Sequence, residues 1–204
     1  MNGKTEICHV KNTGRCRELL VPGATVYADY AGNPSRSTRY DLVAVEKGDL
    51  LINMDSQAPN RTFEEYLRQG SFLDGVTHIK AEAKYGASRF DFCVDTNDTK
   101  VYIEVKGVTL EENGVALFPD APTERGVKHL NELAKCVADG NGAYVVFVVQ
   151  MKGVSHFMPN YKTHAAFGET LERVVGMGVK AKAFDCVVTP CEMKISKPIP
   201  LQLF

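Results

Sequence analysis

The sequence predicts a mixed α/β protein in which a small all-β segment, residues 1–59, precedes a larger α/β segment, residues 60–204. Short apolar stretches separated by turn-forming residues dominate the first segment, which is typical of a small barrel or sandwich. After Ala58-Pro59-Asn60 the order becomes helix, three strands, helix and one continuously apolar strand. That order is typical of mixed α/β folds.

Four candidate strands are found in the first segment, each bounded by glycine, proline or other turn residues. They span residues 6–10, 24–30, 40–46 and 50–54. A β module this short has little core of its own, so we expect it to pack against the second segment.

The second segment opens with a short helix, for which Thr62 is the predicted N-cap and Gly70 the predicted end. A strand, a hairpin and a further strand at residues 114–118 follow. The clearest helix then begins at Thr123 and ends at Gly140. After it, the predicted elements are a buried strand at 143–150, a helix at 165–176 and a strand at 180–188.

Two runs in this segment alternate between apolar and polar residues, SRFDF at 88–92 and YIEVKG at 102–107. A period of two is typical of half-buried strands. We therefore expect Phe90, Phe92 and Val94 to share one face. The link TNDT between the runs favours a turn, which predicts an antiparallel hairpin.

The hairpin register brings acidic residues together. If Asp95 pairs with Lys100 across the turn, Asp91 lies opposite Glu104, and Lys106 is next on the same face. Opposed side chains have Cβ atoms about 4.5–5.5 Å apart, so two carboxylates there raise one pKa or recruit a cation. The predicted cofactor is Mg²⁺ or Mn²⁺, because such ions prefer oxygen ligands.

Lys106 gives this face a possible chemistry. It could orient or deprotonate an attacking water, or stabilise a charged phosphoryl oxygen. The alternative is an ordinary amphipathic hairpin whose polar face is hydrated, with Lys106 screening its neighbours.

Composition narrows the class of protein. The net charge of −1 provides no global attraction to nucleic acid, so any such surface depends on local clusters. The six cysteines form no Cys-x-x-Cys pair, which favours reduced thiols over a zinc site. Without a predicted signal segment or membrane span, we expect a cytoplasmic protein that does not bind membranes.

The candidate phosphate-binding residues are basic side chains in three places. They are Arg15 and Arg17 in a loop after the first strand, Arg89 beside Asp91, and Arg125, Lys128 and His129 on the polar face of the second helix. Each could contact phosphate oxygens. The alternatives are a solvated turn, neutralisation of Asp91 by Arg89, and an ordinary hydrated helix face.

Residues 65–150 resemble the core of the PD-(D/E)xK nucleases. Asp91, Glu104 and Lys106 match the strand motif, so the resemblance makes them the catalytic residues. It also implies a carboxylate on the preceding helix, assigned to Glu65 rather than Glu64. The implied metal ligands are therefore Asp91, Glu104 and Glu65.

A longer resemblance covers nearly the whole chain. The matching runs are HVKNTGR at 9–15, KYGASRFD at 84–91, YIEVKGVTL at 102–110 and FPDAPTERGVKHLNEL at 118–133. These runs, in this order, resemble the sugar fermentation stimulation protein family. The resemblance implies an OB-like domain at 1–59, one strand short at its start, joined to a nuclease-like α/β domain at 60–204.

Two functions remain after these observations. The family resemblance implies a DNA-binding protein linked to the regulation of sugar metabolism. The alternative is a Mg²⁺- or Mn²⁺-dependent nuclease acting on DNA or RNA through Asp91, Glu104 and Lys106. The sequence leaves open whether the chain acts alone or as a homodimer.

Overall fold

Three β-sheets and three helices form the part of the chain that the computed structural model describes, namely residue 3, residues 5–12 and residues 14–203. The first sheet comprises β1 (Cys8–Val10), β2 (Val26–Tyr30), β3 (Tyr40–Lys47) and β4 (Leu50–Asn53). Strand β3 is central, parallel to β1 and antiparallel to β2 and β4. The predicted strands of the first segment are thereby confirmed.

The remaining elements form a larger α/β unit. In chain order they are α1 (Ala58–Arg68), β5 (Val76–Tyr85), β6 (Ser88–Thr96), β7 (Lys100–Val108), β8 (Leu110–Glu112), β9 (Val115–Phe118), α2 (Glu124–Ala138), β10 (Gly142–Val149), β11 (His156–Pro159), α3 (Tyr161–Gly176), β12 (Lys180–Thr189) and β13 (Glu192–Ile199). The main sheet has the order β13-β12-β10-β7-β6-β5.

Strand β10 is the centre of the main sheet. It pairs in parallel with β7 on one side and β12 on the other. Val145 and Phe147 pack into the cluster that contains the α2 and α3 side chains, while Val146 and Val148 pack with Phe63 of α1. The helices therefore cover opposite faces, which confirms the prediction that this strand is buried on both sides.

The first sheet packs against the α2 and α3 face of the main sheet. Leu42, Ile52 and Met54 belong to the same buried cluster as Leu130 and Phe167. The small β module therefore shares its core with the second domain, as its size predicts. Within the described ranges, no helix is long and apolar enough to cross a bilayer.

Two strand placements are not predicted by the sequence. The strand predicted at 114–118 is β9, which pairs with β8 and β11 in a separate small sheet. The main sheet ends at β13, a C-terminal strand for which the sequence predicts no element.

Helix α1 begins four residues before the predicted cap. Its N-cap is Gln57, and Pro59 lies in the first turn, where its missing N–H costs no hydrogen bond. Thr62 is therefore inside the helix, where its buried hydroxyl donates to the Met193 carbonyl at 3.0 Å. The residues predicted to mark the domain boundary form the first turn of α1.

Helix α2 has its predicted limits but a wider buried surface. Thr123 is the N-cap, and its hydroxyl oxygen accepts a hydrogen bond from the Gly126 N–H at 3.0 Å. However, His129, which the sequence places on the polar face, is buried, and so is Glu132 three residues further along the helix. Helix α2 therefore buries polar groups against the sheet as well as its apolar stripe.

Gly107 marks a close approach of three elements. A Cβ there would lie 2.5 Å from Gln150 Oε1 and 2.7 Å from Pro59 Cγ. We expect Gly107→Ala to lower the free energy of unfolding by about 1–3 kcal/mol, because overpacking forces backbone shifts. Urea denaturation measures the change.

Gly176→Ala is the matched control, since a Cβ at that end of α3 meets no atom within 4 Å. It should unfold at the same or a slightly higher urea concentration than the unsubstituted chain. Equal stability of the two variants would contradict the close packing at Gly107.

Candidate active site

Glu104 is a buried carboxylate in the middle of β7, with 4% of its surface exposed. Its Oε1 accepts hydrogen bonds from Lys106 Nζ at 2.6 Å and from His129 Nδ1 at 2.5 Å. Its Oε2 is buried and has no hydrogen-bond partner in the described part of the chain. The alternative of a hydrated polar face is therefore wrong for Glu104.

His129 and Lys106 keep Glu104 ionised. Burial alone would raise the pKa of the Glu104 carboxyl, but the His129 hydrogen bond and the Lys106 charge bring it below its ordinary value. Arg125 Nε lies 3.4 Å from His129 Nε2 as a donor. With Arg125 as donor to Nε2, the ring proton lies on Nδ1, which faces Glu104.

Asp91 lies where β6 and β7 separate. The predicted register is confirmed from Asp95–Lys100 to Phe92–Ile103, and the ladder ends there. Instead of continuing the pairing, the Asp91 carboxylate accepts the Val105 N–H at 2.7 Å through Oδ2. Its Oδ1 accepts Asn60 Nδ2 at 2.7 Å, so α1 also holds this side chain.

The Asp91 carboxyl has a pKa raised to about 6. Burial is the main cause and the negative charge of Glu104 is the next, while the Val105 N–H, Lys106 and Asn60 oppose both. The two carboxylates are therefore close enough to repel each other. At neutral pH this repulsion is a cost that a bound cation would offset.

The alternation of β6 breaks at Asp91. Phe90 packs against Tyr102 and His129, with ring centroids 5.8 and 6.1 Å away, on the α2 face. Phe92 packs instead against Phe63 of α1, at 5.9 Å. The prediction that Phe90 and Phe92 share a face is therefore wrong, and Asp91 is at the irregularity that separates them.

Lys106 lines a cleft between the two domains. The cleft has a volume of about 230 Å³, and its lining includes Asn12 and Gly14 from the first domain and Asp120 and Gln150 from the second. The loop of the first domain is attached to the second, because the Arg15 N–H donates to Asp120 Oδ2 at 2.8 Å. Both domains therefore contribute to the surface beside Lys106.

Four of the predicted phosphate-binding residues are exposed. Arg15 and Arg17 follow the cleft-lining loop, while Arg125 and Lys128 lie on the outer side of α2. Among the described residues, none of the four has an acidic partner within ion-pair distance, although twelve of the other lysines and arginines do. Their charges are available to an external anion.

The other two predicted phosphate contacts are placed differently. Arg89 forms an ion pair with Glu82 at 2.7 Å, so the carboxylate that it neutralises is not Asp91. His129 is 6% exposed and bonded to Glu104, which corrects the prediction of a surface contact with nucleic acid. The helix packs onto β7 through this side chain, and burial removes it from the surface.

Glu65 is not brought to the other carboxylates. It lines a surface with Gln69 and Lys194, whereas the α1 residue that contacts Asp91 is Asn60. Asn60 and Glu65 point about 140° apart on a helix of 3.6 residues per turn. Glu64, the other candidate, forms an ion pair with Arg68 at 2.6 Å.

Of the three predicted metal ligands, Asp91 and Glu104 therefore lie close together, and Glu65 does not join them. Over residues 5–12 and 14–203, no group of three or more His, Cys, Asp or Glu side chains is arranged to hold a metal ion. The arrangement provides two carboxylates, a lysine and a buried histidine.

Sequence reasoning missed Asn60 and the role of His129. The sequence places Asn60 at the domain boundary, and its position in the first turn of α1 follows only from the earlier helix start. His129 was assigned to the polar helix face. His129 lies next to Leu130 and four residues before Leu133, and both leucines are buried. This spacing indicates that His129 borders the buried face of α2.

Comparisons with known proteins agree with this architecture. Residues 57–192 match the family described as "Sugar fermentation stimulation protein RE domain", and residues 1–54 match "SfsA N-terminal OB domain". A sugar fermentation stimulation protein homolog of Desulfitobacterium hafniense is 59% identical over 93% of this chain and 82% of its own length. A homolog of Ruminiclostridium cellulolyticum is 53% identical over 98% of this chain and 88% of its own length.

A solved structure shares the whole fold. It is described as "The structure of Pyrococcus Furiosus SfsA in complex with Ca2+". It superimposes with a TM-score of 0.89 and 27% sequence identity, covering 99% of this chain and 88% of that chain. The arrangement of an OB domain and an α/β domain is therefore shared with it.

Removing the Asp91 charge should stabilise the metal-free chain. The folded-state pKa of about 6 lies above the ordinary aspartate pKa of 3.8, so folding is penalised above pH 6 and the penalty disappears as the pH falls below 4. We expect Asp91→Asn to raise the free energy of unfolding at pH 8 by up to about 3 kcal/mol, which corresponds to two pKa units.

Urea denaturation with a chelator, at pH 8 and at pH 4, checks this difference between variant and unsubstituted chain. Asp98→Asn makes the same chemical change on an exposed turn and serves as the control. The gain in stability of Asp91→Asn over the unsubstituted chain should be larger at pH 8 than at pH 4. A gain that is smaller at pH 8 would contradict the raised pKa.

Proposed function

The chain belongs to the sugar fermentation stimulation protein family, and from this premise we propose that it is a DNA-binding protein that contributes to the regulation of sugar metabolism. The observation that carries the proposal is the shared cleft, in which the Asn12 and Gly14 loop of the OB domain lies beside Lys106 of the α/β domain. The DNA backbone would lie along this boundary.

The unpaired cations supply the affinity. Arg15, Arg17, Arg125 and Lys128 carry exposed charges without acidic partners among the described residues, so their binding to phosphates would not require an internal ion pair to break. Since the net charge of the chain is −1, attraction to DNA depends on these local charges. Affinity is therefore expected to fall steeply as salt rises.

Arg15→Ala and Arg17→Ala test the interface. Each variant should weaken binding to a fluorescent duplex several-fold at low salt and reduce the slope of log K against log salt by about one, because one phosphate contact is lost. Fluorescence anisotropy in a chelating buffer measures both quantities.

Arg68→Ala is the control, because it removes the same charge from the end of α1, where Arg68 is paired with Glu64. If Arg68→Ala weakens binding as much as the loop variants, general charge explains the affinity and the cleft does not. The same titration with a single strand reports the preferred form of DNA.

A second candidate function is a Mg²⁺- or Mn²⁺-dependent nuclease, favoured by the unpartnered Oε2 of Glu104. This buried oxygen and the neighbouring Asp91 carboxylate fit a divalent cation, because each carboxylate has free lone pairs and their mutual repulsion would be relieved. The related Pyrococcus furiosus protein is described as a complex with Ca²⁺, which supports the binding of a divalent cation within this family.

The residues of the chain fit phosphodiester hydrolysis as follows. Asp91 and Glu104 would hold the ion, which when bound supplies Lewis acidity toward a phosphoryl oxygen. Lys106, which lines the cleft, would place its ammonium beside the negative charge that develops on the phosphate. Asn60 and the Val105 N–H would keep Asp91 oriented.

Glu104→Gln and Lys106→Ala separate the two functions. If the chain is a nuclease, cleavage of labelled DNA or RNA requires Mg²⁺ or Mn²⁺, and both variants lose about 100-fold or more in rate at saturating substrate. Glu112→Gln, an exposed change in β8, is the control. DNA binding in a chelating buffer, with no cleavage in Mg²⁺ or Mn²⁺, would contradict the nuclease function and support DNA binding alone.

A further inference from the structure

His129 is an unusual side chain for the buried side of α2. Its ring is 6% exposed and packs edge-on against Phe90, with ring centroids 6.1 Å apart. Its Nδ1 is 2.5 Å from Glu104 Oε1, and its Nε2 faces Arg125 Nε at 3.4 Å. Both ring nitrogens therefore have partners, one on the sheet and one on its own helix.

We propose that His129 is a positioning residue that fixes the Glu104 carboxylate for a divalent cation. It donates its Nδ1 proton to Oε1 and thereby leaves Oε2 as the free oxygen. This inference rests on the proposed metal site and adds to it an essential group that the nuclease-like motif of Asp91, Glu104 and Lys106 does not contain.

The two oxygens of the Glu104 carboxylate differ in their hydrogen bonding. Oε1 receives two donors, Lys106 Nζ and His129 Nδ1, whereas Oε2 receives none from the described residues. Lys106 is on the same strand and has a flexible side chain, so alone it leaves the carboxylate free to rotate. His129 approaches from α2 with a rigid ring and selects one orientation.

Arg125 fixes the tautomer of the His129 ring. As a permanent donor to His129 Nε2, it leaves Nδ1 as the protonated nitrogen that faces Glu104. A group that supports a metal ligand in this way commonly changes metal affinity by 10–100-fold when it is removed. A histidine that only fills space beside Phe90 would have no such effect.

Three substitutions at position 129 separate positioning from packing. In His129→Asn the amide nitrogen lies two bonds from Cβ, as Nδ1 does, and can donate to Oε1. In His129→Gln the amide lies one bond further along, in the place of Nε2. His129→Phe keeps the ring shape without a donor.

Titration calorimetry with Mn²⁺ on the full chain, without nucleic acid, provides the readout. The expected dissociation constant rises about tenfold or more for His129→Gln and His129→Phe and stays within about threefold for His129→Asn. Urea denaturation of each apo variant reports folding. If His129→Phe does not fold, the comparison of the Asn and Gln variants decides.

Two results overturn the inference alone: folded Gln or Phe variants that bind Mn²⁺ as tightly as the unsubstituted chain, or equal weakening in all three variants. An unsubstituted chain that gives no Mn²⁺ heat overturns the proposed metal site and this inference with it. That result leaves DNA binding in chelator intact, so failure of the metal site is distinguishable from failure of DNA binding.

Discussion

The buried Glu104 carboxylate and the half-buried Asp91 carboxylate beside it impose the constraint around which the α/β domain is organised. A buried charge is costly unless hydrogen bonds and opposite charges compensate for it. Lys106 and His129 donate hydrogen bonds to Oε1 of Glu104 and compensate for its burial. Oε2 has no hydrogen-bond partner in the described part of the chain. Asp91 is held by two donors yet keeps a raised pKa. The residual repulsion is the cost that the proposed cation would offset.

The layered fold is what supplies these compensating groups. Strand β7 is fixed by its parallel pairing with β10, which is buried on both faces. Because α1 and α2 cover opposite faces of the sheet, each can deliver one polar side chain to the place where β6 and β7 separate: Asn60 from α1 and His129 from α2. The site therefore depends on both helix layers, and a hairpin with the same residues could not form it alone.

Local patterns predicted much of this site. The hairpin register follows from the length of the TNDT turn, and the strand motif identifies Asp91, Glu104 and Lys106, which the structure brings together. Contacts between layers were not predictable in this way. The rotation of α1 about its axis decides that Asn60 rather than Glu65 meets Asp91, and it depends on a helix start at Ala58 that the Thr62 signal obscured. The break in β6 at Asp91 was not predictable either, because the sequence keeps its apolar–polar alternation through it.

The segment before α2 links the OB domain to the helix that holds Glu104. Asp120 accepts the Arg15 N–H from the OB domain, and three residues later Thr123 caps the helix that carries Arg125 and His129. A short path of hydrogen bonds and one helix turn therefore joins the basic loop to Glu104. This charge-assisted hydrogen bond attaches the loop to Asp120. The OB domain thus forms a part of the cleft wall beside the acidic site.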